Sequence, residues 1–244
     1  MGPARPLQGD LKMSQTNDLS QDKLVLRYWN CAGRGMLMRY MAYDAGLDFI
    51  DDIVDIEEDF LSGTWENKKK FIPELAGPFK ALPVVQHHGA TINETGACAQ
   101  YVAEIAGYMP THPLDRAKVV MICDHIYEDI LINVAYAIWG FRDWERDVVG
   151  GFAGPISGFP LKFANLEDIL VGSASGFAVG SEVSMADFAI FYIVDILTQR
   201  MLKVQSGPAA VKLLFGDKPA IAKHQEMMAA RPNTSKYKLS LIHI

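Results

Sequence analysis

An α/β domain followed by an all-helical domain is the fold class this sequence predicts. Three observations carry it. Residues 23–54 read as strand, helix and strand in close succession. A short hairpin follows, entered through Pro83. Beyond a link containing Gly107, Pro110 and Pro113, apolar residues recur at three- and four-residue steps, the spacing of helices.

Residues 23–29 form the first expected strand. Residues 34–45 place Leu37, Met38, Met41 and Ala42 at helical spacing, and Gly46 stops that helix. Residues 49–54 form a second strand, and so short a crossover makes the pair parallel. An acidic and then basic segment covers residues 57–70. Val84-Val85 and Thr91-Ile92 are β-branched runs with Gly89 between them, the pattern of a hairpin. Pro83 opens the first run, where a missing N–H is tolerated, and a cis bond there exposes the backbone groups of Leu82 to a partner. A helix over residues 94–106 completes the order β-α-β-α-β-β-α, that of a thioredoxin-like domain spanning residues 23–107.

Residues 108–114 are the linker, and residues 115–238 the expected all-α domain. Within it, residues 114–139 have helical spacing, residues 150–158 are a glycine-rich break, and residues 159–170 are helical again. A strong helix over residues 184–202 opens with Ser184-Met185-Ala186-Asp187, a serine and acid spaced to cap a helix start reciprocally. Residues 1–22 are polar and pattern-free and are expected to be a disordered tail. Residues 239–244 are an apolar tail to which no role is assigned.

The chain has 244 residues, half of them hydrophobic, enough for a substantial core. Its net charge of −6 argues against nucleic acid as a partner. Cys31, Cys98 and Cys123 lack metal or disulfide spacing, which favours a reducing compartment. The N-terminus shows no apolar signal-peptide core. The longest apolar run, residues 188–197, is too short to cross a bilayer and contains Asp195. The expectation is a soluble cytoplasmic protein without a membrane partner. His87 and His88 at the hairpin tip point apart, so no metal site is expected.

The hairpin and the helix after it offer two binding features side by side. Leu82 presents a backbone edge, and the helix start at Glu94-Thr95 presents free N–H groups and a positive dipole end. Together they suit a peptide-like ligand with a free carboxylate. This Leu82-Pro83-hairpin-Glu94-Thr95 pattern resembles the glutathione site of the cytosolic glutathione transferases. The resemblance covers roughly residues 23–235 and is nearest to the Tyr-type sigma class, which includes glutathione-dependent prostaglandin D synthases. The phrase Tyr28-Trp29-Asn30-Cys31-Ala32-Gly33-Arg34-Gly35 resembles the sigma-class segment at the end of the first strand. Residues 180–188 resemble the capping motif of the family's helical domain.

The resemblance implies glutathione as co-substrate, an apolar electrophile as second substrate, a homodimer, and isomerase or peroxidase side activity. A free thiol titrates near pH ~8.5, so a donor aimed at the sulfur is needed to hold a thiolate at neutral pH. The matched positions make Tyr28 that donor and put Arg34 beside it as a charge that helps hold the thiolate. Leu82, Pro83, Glu94 and Thr95 are then the peptide-binding residues, with Thr95 on the γ-glutamyl carboxylate and Glu94 on the α-ammonium. Trp65 and Lys69 have the Trp-x-x-x-Lys spacing that binds the glycyl carboxylate in sigma-class relatives. Ala81 stands where the family usually has Lys or Gln, and Lys80 beside it either replaces that contact or leaves it lost. Asp124, Glu128 and Asp129 lie on the first long helix of the all-α domain, from which the resemblance implies an acid contributed to the glutathione bound by the partner in a dimer, and Asp129 is the one chosen. Trp29, Met36 and Trp139, with Phe141 and Trp144, are the candidate electrophile wall.

Two other readings stand beside this one. Cys31, near a helix N-terminus that lowers a thiol's pKa, suits a thiol transferase. A transferase-fold protein without catalysis, a ligand carrier or structural protein, has the same pattern.

Overall fold

The computed structural model describes residues 23–132, 159–201 and 207–234. A four-stranded mixed sheet has the order β2-β1-β3-β4. β1 (Leu24–Trp29) runs parallel to β2 (Phe49–Val54) and antiparallel to β3 (Val84–His87), which pairs antiparallel with β4 (Ala90–Asn93). The hairpin closes through His88 and Gly89, both at positive φ (49° and 75°), the backbone of a primed two-residue turn that matches strand twist. The Leu82–Pro83 bond is cis.

Strand alternation decides which domain each β1 residue serves. Leu24 and Leu26 enter the main core, with α1 (Met36–Asp44) and α4 (Thr95–Ala106). Arg27 and Trp29 face the other side. There Arg27 pairs with Asp52 and donates to the carbonyls of Glu74 and Leu75. The segment of residues 56–76 covers that face with a π-helical turn (Ile56–Leu61), α2 (Thr64–Asn67), a 3-10 turn (Lys69–Phe71) and α3 (Pro73–Ala76).

The main core continues without a break into the helical domain. There α5 (Pro113–Asp124) runs on as a π-helical stretch, His125–Leu131. Then follow α6 (Phe159–Val171), α7 (Met185–Met201), α8 (Gly207–Phe215) and α9 (Pro219–Ala229). The sequence pattern marks α6 and α7 closely but does not resolve α8 and α9 as separate helices. Tyr40 of α1 meets Phe191 of α7 edge to face, with centroids 5.4 Å apart.

Asp187 anchors the start of α7. It accepts the Ser184 N–H (2.8 Å) and hydroxyl (2.9 Å), the Ala178 N–H (2.7 Å) and His224 Nε2 (3.1 Å), all at buried positions or at their edge. The acid half of the expected reciprocal cap is present. The serine hydroxyl, however, donates to Asp187 instead of accepting a helix N–H. A second polar knot joins the domains at Asp44, the last residue of α1. Its carboxylate accepts Tyr108 Oη (2.5 Å), Arg231 Nε (3.0 Å) and Thr234 Oγ1 (2.9 Å).

Among the described residues, no helix is long and apolar enough to cross a membrane. Trp139, Phe141, Trp144, the break at 150–158 and both tails lie outside the described residues.

Candidate active site

Tyr28, the last residue but one of β1, has its ring on the α1 side of the sheet and is only 5% exposed. Its hydroxyl accepts the Arg34 backbone N–H at 2.9 Å. Burial pushes its pKa well above the ordinary phenol value, and Cys31 nearby adds to this. The Arg34 N–H and the charges of Arg34 and Arg39 act the other way. The hydroxyl therefore keeps its proton at neutral pH, and, having accepted one hydrogen bond, has that proton to give.

The loop from Asn30 to Gly35 can lie this close only because two positions lack a Cβ. One added at Gly33 would overlap the Tyr28 hydroxyl, and one at Gly35 would stand 2.5 Å from Tyr28 Cγ. Arg39, buried in α1, fixes the loop from below. Its Nε pairs with Asp51 (2.9 Å), and its Nη atoms donate to the carbonyls of Trp29 and Cys31 at 3.1–3.2 Å. Asn30 ties the same loop to the next turn, donating to Asp55 (2.8 Å) and accepting the Ile56 N–H (3.0 Å).

The Arg34 side chain gathers the second group. Its Nη1 donates to Thr95 Oγ1 at 3.4 Å and lies 3.7 Å from Glu128 Oε1. Thr95 is the first residue of α4, so its hydroxyl and the free N–H groups of that helix start lie beside one guanidinium. Glu94 precedes it at φ 70°, ψ 132°, a strained conformation for a residue with a Cβ, with its side chain exposed. This juxtaposition of a hydroxyl, a helix N-terminus and a cation is a carboxylate-binding arrangement.

The third group is the edge at residues 76–83. Asn93, buried in β4, donates to the carbonyls of Ala76 (3.0 Å) and Ala81 (2.7 Å). That holds the loop carrying Ala81, Leu82 and Pro83 against the hairpin. Ala81 is exposed and Leu82 half-buried. Trp65 is 4% exposed and packs edge to face on Trp29 (centroids 5.2 Å), in a small cluster with Val54, Ala76 and Leu82. Lys69 is paired with Asp59 at 2.6 Å. The Lys80 ammonium stands 5.0 Å from the Phe71 ring centroid, over its face.

The structure thus brings Tyr28, Arg34 and Thr95 together, with Glu94 and the Leu82 edge alongside. Other expected residues lie elsewhere. Trp29 does not line the space between the domains. It points to the opposite sheet face from Tyr28 and packs on Phe60 and Trp65. Met36 is buried in the main core. Asp129 is held by His125 (2.8 Å) and Lys162 (3.4 Å), and the hydrogen bond from His125 holds its carboxyl below the ordinary value. The acid of that turn that meets Arg34 is Glu128. Cys31 is half-buried, and burial pushes the Cys98 thiol up to about 12 and the Cys123 thiol up as well. Sequence reasoning missed the positioning roles of Arg39 and Asn93. A lone arginine inside the apolar run of α1 and an asparagine closing β4 were the only signals. Among the described residues there is no group of His, Cys, Asp and Glu fit for a metal ion.

Comparison with known proteins finds relatives of the same fold. A family profile described as "Glutathione S-transferase, C-terminal domain" matches residues 158–240. A probable glutathione S-transferase 6 of Caenorhabditis elegans is 26% identical over 187 residues, covering 75% of this chain and 84% of the relative. The crystal structure of the glutathione S-transferase from Ascaris lumbricoides superposes with a TM-score of 0.69 at 22% identity, over 89% of this chain and 97% of the other. A monomeric glutathione S-transferase of the hookworm Necator americanus gives 0.70 at 20% identity, with the same coverage.

Proposed function

We propose that this chain, which has the glutathione transferase fold and is related to glutathione S-transferases along most of its length, binds glutathione, ionises its thiol and joins it to an apolar electrophile. The observation that carries the reading is the buried, protonated Tyr28 hydroxyl, held by the Arg34 N–H beside the Thr95 helix start. The γ-glutamyl carboxylate is taken by Thr95 and the α4 N-terminus, with Arg34 adjacent. Glu94 pairs with the α-ammonium, and the backbone of Leu82 pairs with the peptide. Trp65, Lys69, Lys80 and Ala81 lie toward the glycyl end, and Asp129 on the first long helix remains the acid assigned to glutathione.

Tyr28 keeps its proton throughout and donates it in a hydrogen bond to the sulfur. The thiol proton leaves to solvent. The sulfur electron pair then forms the new C–S bond, and with chlorodinitrobenzene the chloride departs with its bonding pair. The charge that Tyr28 and Arg34 stabilise is the one present on sulfur before attack. The sigma-type assignment, a cytoplasmic location and a homodimer complete the proposal. Light scattering at micromolar concentration tests the dimer, and a monomer there removes it.

Binding to immobilised glutathione, followed by conjugation of chlorodinitrobenzene, tests the activity. Binding without turnover across a broad electrophile panel favours the second reading, a ligand carrier or structural protein. The exposed, apolar Ala81 and the Lys69 ammonium already engaged by Asp59 are what favour it.

A further inference from the structure

Tyr192 lies in the middle of α7, in the other domain from Tyr28, and is almost fully buried. Its hydroxyl donates to the Gly33 carbonyl oxygen at 2.8 Å. The peptide unit that carries this oxygen also carries the Arg34 N–H, which donates to the Tyr28 hydroxyl at 2.9 Å. One peptide plane is therefore held at both ends by tyrosines from different domains, in the order Tyr192 O–H, Gly33 C=O, Arg34 N–H, Tyr28 Oη.

We infer that Tyr192 is a positioning residue for the thiol-activating hydroxyl, acting through the Gly33–Arg34 peptide. The inference rests on the proposed role of Tyr28 as donor to the sulfur. Two physical effects support it. Donation to the carbonyl polarises the amide and makes its N–H a stronger donor, as in any hydrogen-bonded chain in a low-dielectric interior. A stronger donor to Tyr28 Oη makes the Tyr28 proton a better hydrogen bond for a thiolate. The second effect is mechanical. The loop around this peptide is a bend and turn in which the Gly33 oxygen otherwise accepts the Met36 N–H at a long 3.4 Å, and rotating the peptide plane turns the Arg34 N–H away from Tyr28. The Tyr192 bond opposes that rotation.

Burial pushes the Tyr192 pKa far above the ordinary phenol value, with Tyr127 and Tyr28 adding to it, so this hydroxyl stays protonated and acts as donor. Tyr127 supplies a control within the same cluster. Its hydroxyl is buried and makes no hydrogen bond among the described residues.

The test uses the full chain and compares Tyr192→Phe, Tyr28→Phe, the double variant and Tyr127→Phe. The readouts are the titration of bound glutathione by thiolate absorbance, kcat and KM for conjugation, and the melting temperature. Tyr192→Phe keeps the ring and removes one donor. It should raise the apparent pKa of the bound thiol by about half to one unit and lower turnover at neutral pH roughly three- to tenfold. KM for glutathione should stay within about twofold, because only the thiolate is affected. In the Tyr28→Phe background the same change should add nothing further, since the chain's end is already gone. Tyr127→Phe should leave the thiol titration unmoved.

A lower melting temperature in Tyr192→Phe with an unmoved thiol titration overturns the inference and leaves Tyr192 a packing residue. So does an additive effect in the double variant, or a Tyr127→Phe shift as large as that of Tyr192→Phe. A silent Tyr28→Phe instead overturns the underlying assignment, and the inference falls with it.

Discussion

Tyr28, Arg34 and Thr95 stand at buried or half-buried positions where each polar group is held by another, whereas Lys69, Lys80 and Ala81 lie on a surface segment of short helical turns. The first region is assembled from β1, the loop after it and the start of α4, with Arg39 and Asn30 bracing the loop. In the second, Lys69 is spent on the buried carboxylate of Asp59 and Lys70 on Glu66 at the surface. A ligand entering the first region meets groups already in place, so little ordering cost remains. In the second it must compete with water and with carboxylates that already hold the charges, one of them buried. The γ-glutamyl and sulfur end of glutathione is therefore expected to carry both affinity and chemistry, and the glycyl end to contribute little.

Tyr28→Phe is the strongest way to break this contrast. It removes a hydrogen bond to a charged sulfur, and turnover at neutral pH should fall roughly ten- to a hundredfold while glutathione affinity changes far less. Raising the pH should restore part of the loss. Cys31→Ala is its partner and should leave conjugation nearly intact. If steady-state kinetics show the reverse pattern, the protein is a thiol transferase.

Thr95→Val comes next. It keeps the side-chain volume and deletes the hydroxyl beside Arg34. KM for glutathione should rise roughly tenfold with kcat nearly unchanged, the mark of uniform binding lost. An unchanged KM would place the carboxylate elsewhere.

Lys69→Met sharpens the comparison from the other side. Its effect on glutathione binding, measured by calorimetry, should be less than about threefold. A loss as large as that of Thr95→Val would show that the glycyl end is the better built of the two.

The smallest effect at neutral pH concerns the scaffold. The Asp44 carboxyl is partly desolvated, which raises its pKa, but the hydrogen bonds from Arg231, Tyr108 and Thr234 outweigh this and hold it below its ordinary value. A depressed folded-state pKa means stabilisation that is present above the unfolded value and is lost as pH falls through the folded one. Melting temperature should therefore decline on acidification below the ordinary carboxylate range. Asp44→Asn should flatten that part of the curve, and an unchanged slope would remove Asp44 from the account.

Much of the scaffold of the candidate site was readable because its signals are local. The β2 range matches the expected residues 49–54, and the hairpin and the α4 start fall where the β-branched runs and Glu94-Thr95 put them. Tyr28 came from the resemblance of the phrase Tyr28 to Gly35 to the sigma-class segment, since its place in a strand alone suits a half-buried aromatic equally well. Trp29 was misplaced against a rule the sequence itself contains. Adjacent strand residues point to opposite faces, so a wall shared with Tyr28 was excluded once Tyr28 was assigned to the site. Which acid of the first long helix meets Arg34 was not legible in the sequence. Residues 125–131 are π-helical, and there Glu128 lies beside Arg34 while Asp129 pairs with His125 and Lys162.

What the sequence determined by itself was most of the elements up to α7, their order and the chemical types at their ends, while α8 and α9 were not separated. Periodicity, turn residues and capping residues act over a few neighbours and need no tertiary contact to be seen. Only the tertiary structure decided which remote groups hold that chemistry in register. Arg39 reaches the carbonyls of Trp29 and Cys31, Asn93 those of Ala76 and Ala81, and Tyr192 that of Gly33 across 159 positions of sequence. Each of these bonds ends on a backbone oxygen. Every residue carries such an oxygen, so no residue type marks the acceptor in advance, and the pairing exists only once packing has brought donor and loop together.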